Sequence, residues 1–249
     1  MSNNTSYDDF ANEYDLTMGN SGDFFHKNTC DPALLKVIGE VKDKTIYDLG
    51  CGNGYLSRYL IKQGTKEIWA SDISPKLIEI AKSEYPNPDN KIKYFVNEAT
   101  NFKEVPQDHF DLVFMNMVIH YVEDIPKLAK GLFSVLKNKS RFVFTIYNPT
   151  YPITKADLEV PSSKETDPVK EVRKYFAITE GKKVNNWSKG PDLDFFFRPI
   201  SYYINILTKN GFLIDTLLEP NTLVQLQGGE TKSSPIPGMA VIGATKITL

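Results

Sequence analysis

Cysteine is nearly missing from this chain: its 249 residues hold two, Cys30 and Cys51. A disulfide-stapled secreted domain carries more of them, closer together and in a shorter chain. Both therefore read as free thiols in a reducing compartment. Long apolar runs are missing too. No uninterrupted stretch reaches the roughly 18 residues of a membrane span. The opening MSNNTSYDDFANEYD is too polar and acidic for a signal peptide, so the expected location is the cytoplasm. An excess of one charge is also lacking. The 29 Lys and Arg against 31 Asp and Glu leave a formal net charge of −2, which gives no global pull toward nucleic acid or an anionic membrane. There is no internal repeat and no long low-complexity tract.

What is present is an alternation of two periodicities. Residues 5–18 carry Tyr7, Phe10, Ala11 and Tyr14 at helical spacing. Residues 31–41 suggest a second helix, with Asp31 as cap, Pro32 at its first position and Leu34, Leu35, Ile38 and Val41 as its stripe. Then come strand 45–49, helix 55–64 ended by Gly64, strand 67–71, helix 74–84 capped by Ser74, strand 93–96, strand 110–116, helix 125–137 and strand 141–147. Such alternation implies an α/β fold: a doubly wound, mostly parallel sheet with helices on both faces. Residues 148–197 break the pattern with proline, lysine and aromatics. A helix at 199–211 and strands at 212–220 and 239–247 follow, and the two late strands suit a hairpin on one edge of the sheet. The chain reads as one domain: a helical lid (1–43), a core (44–147), an insert (148–197) and a C-terminal helix with a strand pair (198–249).

The first strand-to-helix turn holds Gly50, Cys51, Gly52, Asn53 and Gly54. Glycine permits positive φ and removes Cβ atoms that would keep a ligand at a distance. The helix that follows offers free N–H groups to an anion. A tight turn alone would account for the glycines, so a second element is needed. Asp72 closes the second strand, 22 residues after Gly50. A carboxylate there can accept hydrogen bonds from both ribose hydroxyls of an adenosine. The alternative is that Asp72 merely starts the next turn. The dinucleotide fingerprint is G-x-G-x-x-G; here the spacing is G-x-G-x-G, and Tyr55 stands at the position of the third dinucleotide glycine. Asp48, inside the strand, can meet a cationic amine. A ligand with carboxylate, amine and ribose fits better than one with pyrophosphate.

The stretches YDLGCGNG, ASDIS, NEATNF (97–102) and FDLVFMNMVIHYVED (110–124) resemble, in order and spacing, the motifs of class I S-adenosylmethionine-dependent methyltransferases of the small-molecule type. The similarity runs from about residue 7 to 147, and FRPISYYINILTKNGFLIDTLLEP also looks like the C-terminal part of that group. The resemblance implies a Rossmann-like seven-stranded sheet with an antiparallel last strand. It also implies S-adenosyl-L-methionine as cofactor. Gly50, Cys51, Gly52 and Gly54 would face the methionine part, with Asp48 near the amino group and Asp72 on the ribose. Ile73 would pack on adenine, Glu98 or the Ala99 amide would address the adenine amine, and Asn116 and Met117 would lie beside the sulfonium. Tyr14 would close over the cofactor. Glu98 departs by one methylene from the aspartate commoner in the group.

Methyl transfer from a sulfonium mainly requires positioning, and a base only where the acceptor must lose a proton. His120, after the fourth strand, is the catalytic candidate, as base or as an orienting polar wall. His26 lies just beyond the lid helix, and His109 sits at the opposite end of that strand. Glu123 and Asp124, with Asp157 and Glu159 of the insert, read as solvated acids, so no metal is expected. Tyr147, Tyr151, Tyr175, Phe176, Trp187, Phe195, Phe196, Phe197, Tyr202 and Tyr203 crowd the insert and its flanks. They suit a substrate cap for an aromatic or apolar small molecule, a satellite core, or both. A nicotinamide dehydrogenase, a nucleic-acid methyltransferase and a non-catalytic cofactor binder are the rivals. MNMVIH lacks the prolines expected of enzymes that methylate exocyclic base amines. The sequence does not set the oligomeric state, monomer or homodimer.

Overall fold

The computed structural model describes residues 7–85, 87, 90–149, 182–184, 193–225, 229–234 and 237–248. Six helices and eleven strands are found among them. The helices are α1 (Tyr7–Met18), α2 (Asp31–Ile38), α3 (Tyr55–Lys62), α4 (Pro75–Ser83), α5 (Ile125–Val135) and α6 (Ile200–Lys209). The main sheet uses β1 (Thr45–Leu49), β2 (Glu67–Asp72), β3 (Ile92–Val96), β4 (Phe110–Met115), β5 (Leu136–Tyr147), β8 (Phe212–Leu218) and β11 (Met239–Lys246). Two small antiparallel pairs stand apart from it: β6 (Lys182–Val184) with β7 (Leu193–Phe195), and β9 (Leu223–Gln225) with β10 (Thr231–Ser233).

The strand order is β3-β2-β1-β4-β5-β11-β8. Pairs among β1 to β5 are parallel, whereas β11 runs antiparallel to both β5 and β8. The seven-stranded α/β sheet with its antiparallel last strand is as expected. The late strands do pair with each other, but β11 is threaded inside and β8 forms the edge. The pattern of side chains explains this. β11 is buried along nearly its whole length, while β8 alternates buried or half-buried with exposed positions, as an edge strand must.

Two cores form on the two faces. Ile46, Leu112, Val143 and Val241 pack with α2, α3 and α4 on one side. Tyr47, Val113, Phe144 and Ile242 pack with α5 and α6 on the other. Adjacent residues of one strand thus serve opposite cores, the period-2 rule at work. The order turns outward in both directions from the β1/β4 boundary, and loops at the carboxyl ends of such strands are where ligands bind in open α/β sheets.

Local signals behave mostly as read. Ser74 accepts from the Leu77 amide at 3.2 Å, as expected of a cap; Asp124, read only as a solvated acid, also caps its helix, accepting from the Lys127 amide at 2.8 Å. Asp31 is a correction: it caps nothing. A π-helical turn, His26–Cys30, runs straight into α2, so Cys30 is already helical and the Asp31 side chain makes no cap. β5 is a second correction, for it begins at Leu136 and not at residue 141. Tyr151, Asp157, Glu159, Tyr175, Phe176 and Trp187 lie outside the described residues.

Candidate functional site

The glycine turn closes β1 against β2. The Gly50 and Cys51 amides both donate to the Ser71 carbonyl, at 2.7 and 2.9 Å. Gly50, Gly52 and Gly54 have φ of +88°, +55° and +76°, the left-handed region that side chains with a Cβ resist. Space is a second constraint. A Cβ on Gly52 would stand 2.7 Å from the Tyr14 hydroxyl oxygen, and one on Gly54 would stand 2.6 Å from that of Tyr94. Tyr14 of α1 therefore lies directly on the turn, and Tyr7 meets it edge-on at 5.9 Å between centroids. α1 is tied down at its start by Asp8, which accepts from the Ser74 hydroxyl at 2.5 Å and the Lys76 amide at 3.3 Å.

Two buried carboxyl groups, those of Asp48 and Asp31, and the half-buried one of Asp72 share this end of the sheet. Asp48 points from β1 toward α3, where the Ser57 hydroxyl donates to it at 2.6 Å. Burial pushes its pKa up to about 7 against that bond, and the nearby Asp72 and Asp31 add to the rise. Asp72 at the end of β2 accepts from the Gly52 amide at 2.9 Å and the Ser74 amide at 3.0 Å. Burial raises it as well, and these backbone donors oppose the rise. Asp31 accepts from the Tyr55 hydroxyl on both oxygens, at 3.0 Å each, and from the Asn116 amide at 3.0 Å; it too is raised, chiefly by burial. A buried carboxyl group gains from any cation brought beside it, so this end of the sheet favours a cationic ligand.

Around these groups, Ile73 is 46 % exposed, an apolar side chain facing out at the end of β2. The Asn97 amide donates to the Asp72 carbonyl at 2.9 Å, which brings the loop after β3 alongside. Glu98 in that loop is exposed and accepts from the Thr100 hydroxyl at 2.5 Å, while Ala99 packs on the second core. Gly50, Cys51, Gly52, Gly54, Asp48, Asp72, Ile73, Glu98, Ala99 and Tyr14 thus come together. Together they offer a glycine turn, carboxyl groups able to meet a cation or hydroxyls, and an exposed apolar side chain.

Asn116 and Met117 follow β4, but the Asn116 side chain is engaged inward. Its oxygen accepts from Thr145 at 2.9 Å and from the Cys30 thiol at 3.0 Å, and its nitrogen donates to Asp31. Met117 has φ +57°, and its amide donates to the Thr145 hydroxyl at 2.6 Å. Polar residues of α2, α3, β5 and the loop after β4 are thereby joined, with Cys30, in one network. Sequence periodicity could not assemble it, because its members are up to 115 residues apart.

His120 corrects the expectation of a residue at a pocket mouth. It is 2 % exposed, and neither ring nitrogen has a hydrogen-bond partner. Its ring stacks on Phe195 at 4.6 Å and lies 4.4 Å from Tyr121 and 5.0 Å from Tyr147. Burial drives its pKa down to about 3, so it stays neutral and accepts a proton poorly at neutral pH. It borders a small cavity of about 20 Å³ with Ile146, Phe195, Phe197, Arg198 and Tyr203, room for about one water. Among the described residues no three His, Cys, Asp or Glu side chains gather into a metal-ligating group.

Comparison with known proteins agrees with this geometry. Residues 47–144 match a family model described as a methyltransferase domain. An uncharacterized protein of Haemophilus influenzae is 26 % identical over 194 residues, 76 % of this chain and 75 % of that one. Malonyl-[acyl-carrier protein] O-methyltransferase 1 of Ilyobacter polytropus is 28 % identical over 177 residues, 68 % of this chain and 63 % of its own length. The crystal structure of an S-adenosylmethionine-dependent methyltransferase from Mesorhizobium loti superposes with a TM-score of 0.64 at 22 % identity, over 86 % of this chain and 96 % of that one. At that identity the likeness concerns the fold.

Proposed function

Because the chain carries a class I S-adenosylmethionine-dependent methyltransferase domain, we propose that it transfers the cofactor's methyl group to a small aromatic or apolar molecule. When bound, the cofactor supplies an activated methyl on a sulfonium. In this reading the Gly50–Gly54 turn and Asp48 receive the amino-acid part, and Asp72 receives the ribose. Ile73 packs on the base, with Glu98 or the Ala99 amide at its amine. Asn116 and Met117 form the wall beside the sulfonium, and Tyr14 shuts the turn from water. Holding an acceptor within about 3–3.5 Å of the methyl carbon then removes much of the barrier.

The observation that carries the acceptor class is the aromatic enclosure beside the carboxyl ends of β4 and β5. Tyr147, Phe195, Phe197 and Tyr203 gather there around a neutral His120. An aromatic wall of this kind suits a flat or apolar acceptor, with His120 buried within the wall as packing. The Ilyobacter relative's name gives it a malonyl group on a carrier protein, so an acyl group borne by a carrier is a fair competing acceptor. The test is methyl release, by mass spectrometry, across small phenols, aromatic amines, apolar carboxylic acids, acyl-carrier thioesters, a ribosomal protein mixture and duplex DNA. Turnover confined to the small molecules supports the proposal; turnover only on the macromolecules defeats it. None of the described helices is long and apolar enough to cross a membrane. The two buried thiols, Cys30 and Cys51, suit the cytoplasm.

A further inference from the structure

A second histidine has what His120 lacks. His26 opens the π-helical turn before α2, and its Nδ1 is 2.8 Å from Asp23 Oδ1. The same oxygen accepts the His26 backbone N–H at 2.9 Å, so the carboxylate is fixed to the turn that carries the ring. The bonds to His26 hold Asp23 below the usual carboxylate range, against burial, which acts the other way. An ionised carboxylate can only accept, so Nδ1 carries the hydrogen and the lone pair of the neutral ring is on Nε2. The side chain is 15 % exposed, within reach of a bound molecule.

Its neighbours link it to the loop after β4, where the proposed reading sets the sulfonium. A Cβ on Gly22 would stand 2.6 Å from His26 Cβ and 3.4 Å from both Asp31 Oδ2 and the Tyr55 hydroxyl. The imidazole meets the Tyr55 ring edge-on at 6.3 Å. Asp31 is in turn bonded to Asn116, the first residue after β4. The charged and titratable groups around His26 are Asp23 on its own segment, Asp31 on α2 and Tyr55 on α3, with Tyr14 of α1 close enough to Asp23 to sense its charge.

We propose that His26, oriented by Asp23, takes the proton from a hydroxyl or amine acceptor during methyl transfer. The inference rests on the S-adenosylmethionine reading above. As the acceptor's lone pair forms its bond to the methyl carbon, the carbon–sulfur bond breaks and its electron pair stays on sulfur as a neutral thioether. The acceptor proton passes to His26 Nε2, leaving an imidazolium beside Asp23. Asp23 is a positioning residue: it fixes the tautomer and the ring, and does not itself take the proton.

The test needs no identified acceptor. The purified protein, with ¹⁵N-labelled histidine, is titrated with S-adenosylmethionine and separately with S-adenosylhomocysteine. Calorimetry establishes binding of each. The imidazole ¹⁵N shifts report the tautomer and the protonated fraction. A base in line with the methyl group lies some 6–7 Å from the sulfonium, a distance at which a unit charge acts strongly in a protein interior. The expected result is an Nδ1–H tautomer at His26, and a protonated fraction at pH 6 at least threefold lower with S-adenosylmethionine than with the uncharged thioether. Asp23→Asn, which keeps an oxygen for the His26 amide, should erode the tautomer preference with both nucleosides still bound. An Nε2–H tautomer, or a His26 signal indifferent to the sulfonium with both nucleosides bound, overturns the proposal. Absence of heat with both nucleosides overturns the cofactor reading instead, and the proposal falls with it.

Discussion

Tyr14 rests on Gly52 so closely that a single added carbon at residue 52 would sit 2.7 Å from the tyrosine hydroxyl and 3.1 Å from its ring. Lid and turn are thus one fitted surface. Gly52→Ala should force α1 off the turn and strain a φ of +55°, an added cost of about 1 kcal/mol. S-adenosylmethionine affinity should fall tenfold or more by calorimetry. Adding Tyr14→Ala should restore part of the lost melting temperature, since contacting residues are not additive. Strictly additive losses would mean that the two do not touch.

With Asp48 at the cofactor's amine, as proposed, affinity should depend on pH. The pKa of Asp48 is raised from 3.8 to about 7 by burial. A raised carboxyl binds its proton more tightly folded than unfolded. Its contribution to stability is therefore present below about pH 4 and lost as pH rises through about 7. A cationic amine reverses the preference, because only the ionised carboxylate attracts it. Affinity for S-adenosylmethionine should weaken roughly tenfold from pH 7.5 to 6, with proton release seen as a buffer-dependent binding enthalpy. Asp48→Asn should flatten both this dependence and the loss of stability between pH 4 and 7, read as the difference from wild type.

Asn116 joins four partners, Asp31, Thr145, Cys30 and, at 3.4 Å, the Tyr55 hydroxyl, and removing it strands them. Asn116→Ala leaves Asp31, Thr145 and Cys30 each short of a bond, so denaturant unfolding should show a loss of about 1–3 kcal/mol. Asn116→Asp places a second carboxyl against Asp31, 3.0 Å from where the amide now donates. Like charges raise each other's pKa, so this variant should lose stability progressively as pH rises through neutrality. A flat pH dependence would show that the pair is not in contact.

His120 should tolerate a ring without nitrogens. It is buried, unpartnered and stacked on Phe195, so its polar atoms contribute nothing to stability there. His120→Phe should melt at or above the wild-type temperature. His120→Ala should open a cavity and cost about 2–4 kcal/mol. A destabilised His120→Phe would indicate a water-mediated bond from the imidazole.

The order of strands and helices was legible because apolar periodicity and end signals agree: Ser74 caps its helix, and Gly64 turns the chain with φ +89°. The residues proposed to hold the cofactor could be read as a group because they lie in consecutive turns after β1, β2 and β3. Two things were not legible. β5 starts early: Leu136 and Lys137 read as the end of the helix and polar Asn138 and Lys139 as a connection, because pairing with a neighbour, not composition, makes them a strand. Asp31 looked like a cap, yet serves Tyr55 and Asn116 from 24 and 85 positions away. His26 went unassigned for a related reason. Asp23 lies only three positions earlier, but the polar surroundings that give the pair meaning come from α2, α3 and the loop after β4.

The central claim is that the glycine turn and the carboxyls beside it receive a charged amino-acid nucleoside. Calorimetry on the purified chain at pH 8 tests it, with S-adenosylmethionine, S-adenosylhomocysteine and NAD offered in turn. Saturable heat from the first two, abolished by Asp72→Ala, with none from NAD, is the predicted result. Heat from NAD and silence from both sulfur nucleosides would contradict it.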